Sequence, residues 1–487
     1  MNRETNMGKE EIYIRQAQEL IDGIDRGDFS SFARLPDTYR YGHLSSLLYL
    51  VDCLENGKTL YDRLYDRVME YGKYHLREKI KKQQKIKVAF LAISAAEWAA
   101  EKIYQILLED ERLECYVVVC PLVDRERESR TKIEEQSYRY FEKNGYDVRR
   151  VYDSEQDSCK GWDGIGGLAD IVIHHTPYYK SIPVQFQIEQ FPLYVINCYI
   201  PYGIYVANSF NEAYIKYGVY DNTFVNMMWR VYADSEINLM GYKKYGMLHG
   251  RNVLYTGYVK MDYFQDKRNF SMDEISQIWK SPDSVNSSEM KHLIIAPHHT
   301  VEENAIVQYS TFIKNAFFWL YLAKKYQNKI SFIFKPHPNL RDKTIRANFF
   351  KSFEEYDAYL QMWNALPNAR AVEEDGYLDI FASSDGMIMD SASFIAEYLY
   401  VNKPLLFLTR EEQKFNNLGE KIMPCYYTAK GEDYIAIEQF IEQVILQGED
   451  TMKEERTQVY QEVLDYVTLN GRTASECIYR DILGLFS

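Results

Sequence analysis

No stretch of this chain reaches the ~18–20 uninterrupted apolar residues that a membrane-spanning helix needs. The nearest approach, Val88–Ile93 followed by Ala95–Ala100, is broken by Ser94 and Glu97. Cysteine is sparse: seven residues, an odd number, with no CxxC pair. That pattern argues against a disulfide framework and a structural zinc site, and for buried reduced thiols in the cytosol. Positive charge is in deficit. The formal net charge of -14 excludes nucleic-acid binding by the surface as a whole, so no nucleic-acid partner is expected. The polar opening MNRETNMGKEE lacks the apolar core of a signal peptide, which makes the expected location cytoplasmic. Three phosphate and acyl-transfer signatures are missing as well. There is no GxxxxGK[ST] and no GxSxG, and Gly164-x-Gly166-Gly167 is not GxGxxG and precedes a strand instead of following one. P-loop, nucleophile-elbow and nicotinamide chemistries are therefore disfavoured. Histidines at H-x-H or H-x-x-x-H spacing are absent too, so no metal is expected.

What is present is strand–helix alternation. The 487 residues suit two or three domains. Residues 1–84 read as a helical region, with helical apolar spacing over Ile12–Ile24 and again over Leu47–Leu64. The lysine-rich segment from Leu76 to Lys87 is a solvated face or linker by default, and contact with anionic lipid headgroups is the sharper alternative. Residues 85–258 carry expected strands at Lys87–Ile93, Cys115–Cys120, Asp147–Tyr152, Ala169–Ile173, Tyr194–Ile200 and Val253–Thr256, with helices at Ala95–Glu109 and Arg130–Lys143. Residues 259–291 read as a linker containing one helix. Residues 292–449 repeat the alternation, with strands at Leu293–Ala296, Ile330–Phe334, Ala369–Val372, Gly386–Met389 and Pro404–Leu408. Residues 450–487 close the chain with helices. Short apolar strands separated by helices make open parallel sheets, which bind ligands at the carboxyl ends of their strands. Two α/β halves with a cleft between them is the simplest architecture.

The candidate chemistry lies at those strand ends. Asp390, Ser391 and Ser393 stand where a strand hands over to a helix expected to run to about Val401. Unpaired backbone N–H groups there suit phosphates, whereas the plainer reading is that Asp390 or Ser391 only caps the helix. Most of the nine histidines fall in three places, each directly after an expected strand: His174-His175, His298-His299, and His337 within Lys335-Pro336-His337-Pro338. Imidazole suits proton transfer near neutrality, and its cationic form suits a pyrophosphate. Lys335 adds a fixed cation between residues stiffened by proline.

Five segments carry a resemblance: HHTPYYK at 174–180, IIAPHHT at 294–300, FIFKPHP at 332–338, SSDGMIMDSASFIAEYL at 383–399 and KPLLFL at 403–408. Over roughly Asp170–Leu408 the chain resembles the CDP-glycerol glycerophosphotransferase family of teichoic-acid and capsule-type polymer enzymes. The resemblance implies a GT-B fold: two facing Rossmann-like domains, with C-terminal helices returning to the first. It implies a CDP-alcohol such as CDP-glycerol as donor substrate, no tightly bound cofactor, and a polymer or lipid-linked glycan acceptor. The location it implies is cytoplasmic or peripheral on the inner face of the membrane. His174, or else His175, falls on the family's base and His337 on its phosphate-binding histidine. Lys335, Asp390, Ser391, Ser393, Glu397, His298, His299 and Asp385 form the expected donor-binding set.

Three positions depart from the family pattern. His175 replaces a usual glycine, Ala392 a frequent serine, and His298-His299 a Thr-Trp pair. Two other functions compete. A GT-B glycosyltransferase using a nucleotide sugar would lean on Glu374 or Glu397 near the ribose, and a non-catalytic subunit would bind nucleotide without turnover.

Overall fold

The computed structural model describes residues 11, 12, 14, 15, 18, 22, 40–51, 57–211, 213–266, 268–373 and 376–487. The expected helix Ile12–Ile24 lies largely outside the described residues. The chain divides into two compact units. Unit 1 comprises residues 1–203, 216–260 and 466–487, and unit 2 comprises residues 204–215 and 261–465.

Unit 1 is built on β1 (Ile86–Ala92), β2 (Leu113–Val119), β3 (Val148–Arg150), the small pair β4 (Tyr152–Asp153) and β5 (Ser158–Cys159), β6 (Ile171–His174), β7 (Ile196–Tyr199), β8 (Arg230–Ala233) and β9 (Val253–Tyr255). Apart from the separate β4–β5 pair, these strands form one parallel sheet in the order β3-β2-β1-β6-β7-β8-β9. The segments IVIH and INCY of β6 and β7 are buried at every position, as expected for strands covered on both faces. Strand order reverses between β1 and β6, the topological switch point where such sheets open a crevice.

Of the expected helical repeat over Leu47–Leu64, the described residues lie in two helices, Tyr41–Val51 and Gly57–Lys81. The second helix takes in the start of the lysine-rich segment and uses part of its charge internally. Lys79 donates to Asp170 at 2.7 Å, joined by His75 at 3.1 Å and the Lys87 backbone N–H at 2.8 Å. Ala95–Glu109 also differs from expectation. A 3-10 turn at Ala95–Glu97, capped by Ser94, precedes the α-helix Glu101–Leu108.

Unit 2 carries β10 (Lys291–Ala296), β11 (Ile330–Phe334), β12 (Ala369–Ala371), β13 (Gly386–Met389), β14 (Leu405–Thr409) and β15 (Tyr427–Lys430). They form a parallel sheet ordered β12-β11-β10-β13-β14-β15, with its reversal between β10 and β13. An aromatic core lies behind β11. Phe334 stacks on the fully buried Trp363 at 4.9 Å, and Tyr359 approaches Phe334 at 5.6 Å and Phe312 at 5.7 Å. From Met261 on, the expected linker packs as part of unit 2. Its helix Met272–Ile278 is closed by a Ser271/Glu274 capping box, and Trp279 stacks on His292 at 4.7 Å and donates to Ser383 Oγ at 2.9 Å.

The last helix, Ala474–Leu483, returns to unit 1, where Arg230 grips Asp481 at 2.8 and 3.1 Å. The re-entry point is tight. Gly257 holds φ +89° with the ring of Tyr466 so close that an added Cβ would lie 2.1 Å from it. Only glycine adopts this conformation readily and leaves the ring its place. Among the described residues no helix is long and apolar enough to cross a membrane.

Gly257→Ala should therefore lower unfolding stability by about 1–3 kcal/mol, read as a lower midpoint in urea. An unchanged midpoint would show that the ring yields freely.

Candidate active site

In unit 2 the carboxyl ends of β10, β11 and β13 bring together three of the sequence-predicted groups, at the switch point of the sheet. Asp390, directly after β13, is buried, and its two oxygens are both committed. Oδ1 accepts the His298 backbone N–H at 2.6 Å. Oδ2 accepts the Thr311 hydroxyl at 2.8 Å and the Thr311 backbone N–H. Asp390 thus caps neither its own helix nor a ligand; it fastens both ends of the 297–311 loop that follows β10. Burial pushes its carboxyl up to about 6, against the opposing pull of these hydrogen bonds and of Arg410. Arg410, just past β14, supports the same loop by donating to the Ser310 carbonyl and to Gln308 Oε1, each at 3.0 Å.

The fastened loop carries His298 and His299 to His337. Ring centroids lie 4.2 Å apart for His298–His299, 4.1 Å for His299–His337 and 5.3 Å for His298–His337. One nitrogen from each ring lies within 4.8 Å of the others, a grouping that invites a metal reading. The hydrogen bonds speak against it. His337 Nδ1 accepts the Asn339 backbone N–H at 3.1 Å, so the neutral ring carries its proton on Nε2. A ring N–H is a donor and cannot ligate a cation. His298 is held similarly. Its Nδ1 lies 2.8 Å from Thr300 Oγ1, which itself accepts the Tyr309 backbone N–H at 2.9 Å, and the Thr300 N–H also approaches Nδ1, at 3.4 Å.

The protonation of this corner differs from the sequence expectation of an imidazolium. Burial, followed by the charge of neighbouring histidines, holds His298 well below the usual histidine range. His337 is depressed likewise by burial, then by His299 and Lys335. Burial thus favours neutral rings at His298 and His337, and the buried Lys335 is the positive charge beside His337.

Ser391 is buried and Ser393 half-buried directly beyond Asp390. The helix there is one turn of α, Phe394–Glu397, continued as 3-10 over Tyr398–Val401. A single turn offers backbone N–H groups more than an accumulated dipole. Glu397 is buried and accepts the Tyr377 hydroxyl. Glu374 lies outside the described residues. Asp385 is a correction: it sits at the amino end of β13, accepting the His292 backbone N–H at 2.8 Å. With ~3.3 Å of rise per strand residue, β13 separates it from Asp390 by its whole length, so it is not part of this corner.

In unit 1, His174 ends β6 and His175 follows it. His174 Nε2 lies 3.0 Å from Asn197 Oδ1. His175 Nδ1 donates to the Ile200 carbonyl at 3.2 Å, and its ring packs against Trp98 at 5.1 Å and Phe90 at 6.1 Å. Burial depresses His174 to about 4 and His175 to about 3. Lys180, the last residue of the HHTPYYK segment, pairs with Glu189. Sequence reading missed Asn197, Thr300, Thr311 and Arg410. Arg410 had a signal, since it stands at the end of an expected strand, and so did Asn197, the polar residue in the apolar run INCY.

Five histidines depressed by burial, His174, His175, His292, His298 and His337, set the sign of the acid response. The unfolded chain takes up their protons near pH 6.5 while the folded chain refuses them, so stability is lost as pH falls from about 6.5 towards 4. Asp390 acts in the opposite sense over part of that range. The denaturant midpoint should fall between pH 6.5 and 4.5, and His174→Gln should flatten the fall by up to roughly 3 kcal/mol. A midpoint that holds or rises on acidification would contradict this.

Residues 224–484, more than half of the chain, match the family described as CDP-glycerol:poly(glycerophosphate) glycerophosphotransferase. Among solved structures, the wall teichoic acid polymerase TagF superposes with a TM-score of 0.51 at 11% identity, covering 88% of this chain and 97% of TagF. A TagF variant soaked with CDPG superposes at 0.50 and 11% identity, over 86% of this chain and 99% of that one. The UDP-GlcNAc 2-epimerase of Neisseria meningitidis, bound to UDP-GlcNAc, superposes at 0.48 and 15% identity, over 82% and 100%. No curated protein matches the chain in sequence. The TagF likeness agrees with a GT-B type fold built from the two parallel sheets. With the family match running through the Asp390–His298–His337 corner, the chain belongs to the CDP-glycerol:poly(glycerophosphate) glycerophosphotransferase family.

Proposed function

We propose that this enzyme transfers a polyol phosphate from a CDP-alcohol, CDP-glycerol or a close relative, to an acceptor hydroxyl on a cell-surface polymer or its lipid-linked precursor. The acceptor oxygen attacks the distal phosphorus, a new P–O bond forms, and the P–O bond to CMP breaks with its electron pair leaving on CMP. His174 takes the acceptor proton. His337 and His298 donate Nε2–H to the diphosphate, Lys335 supplies the compensating charge, and the N–H groups at Ser391–Ser393 complete the cradle. Glu397 stands one turn further on, where the nucleotide ribose would lie. His299 lines the same corner.

The observation that carries this reading is the convergence of two imidazoles, held as donors by their own loops, on the strand end that bears Asp390 and Ser391. Phosphate is an acceptor on every oxygen, and preorganised donors are worth most where charge develops in the transition state. Binding also raises the depressed imidazole pKa values, because a dianion offsets the cost of a buried cation. Docking to a membrane surface through the exposed lysines Lys81, Lys82 and Lys85 fits a lipid-linked acceptor.

The test is release of CMP from CDP-glycerol, with CDP-ribitol and a set of UDP- and CMP-sugars alongside. Loss of one such donor typically costs ~2.7–4 kcal/mol of barrier, so His337→Ala should lose at least about a hundredfold in turnover. Near wild-type CMP release by His337→Ala would sink the assignment. Release of nucleotide from sugars alone would make the chain a glycosyltransferase.

A further inference from the structure

The base at His174 needs one nitrogen protonated and held so that the other presents its lone pair, and the fold contains a side chain placed to do this. Asn197 sits in β7 at a fully buried position. Its backbone pairs with Val172 in β6, two residues before His174, so both side chains lie on the same face of the sheet. Asn197 Nδ2 donates to the Val195 carbonyl at 3.3 Å, which leaves Oδ1 as the acceptor facing His174 Nε2 at 3.0 Å. The Tyr41 hydroxyl donates to the same Val195 carbonyl at 2.7 Å, closing the pocket from the Tyr41–Val51 helix.

We propose that Asn197 is a positioning residue for the transfer reaction: it fixes His174 as the Nε2–H tautomer and so makes Nδ1 the atom that receives the acceptor's proton. This rests on the transferase reading above. In the step itself the acceptor O–H bond breaks and its proton passes to Nδ1. The oxygen's electron pair forms the new P–O bond, and CMP departs with the pair of the bond it loses. Among the described residues no hydrogen-bond partner occupies His174 Nδ1, whereas Nε2 is committed to Asn197. His175 is the opposite case. Its Nδ1–H is spent on Ile200, and its Nε2 is buried with no partner, the ring lying between Trp98 and Phe90.

An amide is a neutral orienter. It sets the tautomer without adding a charge that would favour imidazolium, so a base in this apolar setting stays unprotonated and ready. The groups around His174 are consistent with that economy of charge. Phe191 and Phe224 approach its ring at 6.3 and 5.4 Å, Tyr199 is its partner in β7, and His175 is its neighbour in the chain. One contact beyond, the Tyr179 ring stacks on Phe224 while its hydroxyl donates to Glu189, whose charge is met by Lys180.

The experiment is the pH dependence of CMP release by the full-length wild type, Asn197→Asp and Asn197→Leu, together with nitrogen NMR of the histidine rings in the wild type. A carboxylate in place of the amide keeps the acceptor and adds charge. Asn197→Asp should therefore retain turnover at high pH while its acid limb moves up by about 1–3 pH units. Asn197→Leu should lose about a hundredfold or more at every pH, the scale of a positioned base. The ring spectrum should show His174 protonated on Nε2. A purely structural Asn197 would lower stability in both variants and leave the acid limb where it is, and that result overturns the proposal. So does a wild-type spectrum with the proton on Nδ1, which decides the matter even if neither variant folds. A wild type that releases no CMP from any CDP-alcohol fails the transferase reading instead, and the tautomer remains a separate result.

Discussion

Asp390 is the constraint on which the candidate site depends. A buried carboxylate is costly unless its oxygens are satisfied, and here the loop after β10 satisfies them, through the His298 N–H at one end and Thr311 at the other. The same bonds that stabilise the charge define where the loop can run. Because the loop carries His298 and His299, the carboxylate decides which imidazoles meet His337. Arg410 reinforces the arrangement from β14 by gripping Ser310 and Gln308. The acid–hydroxyl cluster therefore divides its labour: Asp390 builds the corner, and in the proposed reading Ser391 and Ser393 after it meet the diphosphate.

The corner is suited to an anion by direction of donors more than by net charge. A backbone N–H occupies Nδ1 of His337, which makes Nε2 of that ring the donor, and Thr300 holds Nδ1 of His298. Burial favours the neutral form of both rings. A site of neutral donors around one buried lysine favours a ligand that brings its own negative charge, and a nucleoside diphosphate does so. In unit 1 the amide of Asn197 lies against the ring of His174, where unit 2 uses backbone and hydroxyl groups against its imidazoles. Both places sit where strand order reverses in a parallel sheet, β1 to β6 in one unit and β10 to β13 in the other.

Much of this was legible in the chain. Apolar runs such as FIF before Lys335 and GMIM before Asp390 mark strands buried on both faces, and the residues after them fall at carboxyl ends by necessity. That reasoning located His174, His298, His337 and Ser391 correctly as strand-end residues. It failed where the decisive fact is a hydrogen bond between distant segments. Nothing local distinguishes Asp390, which opens onto the site corner, from Asp385, which closes the far end of the same strand. The bond from Asp390 to Thr311 spans 79 residues. Burial of the imidazoles, which sets their protonation, is likewise a property of the packed fold. β8 escaped notice because its segment, RVYA, opens on a charged arginine, and β15, YTAK, is buried at a single position and gives no apolar run at all.

The central claim is that the diphosphate of the donor lies between the imidazole of His337 and the chain at Ser391. A crystal structure with CDP-glycerol bound tests it most directly. The account predicts phosphate oxygens within hydrogen-bonding distance of His337 Nε2 and of the backbone N–H groups at Ser391–Ser393, with Asp390 still bound to His298 and Thr311. A diphosphate seated elsewhere in unit 2, or a metal ion coordinated among His298, His299 and His337, would contradict it.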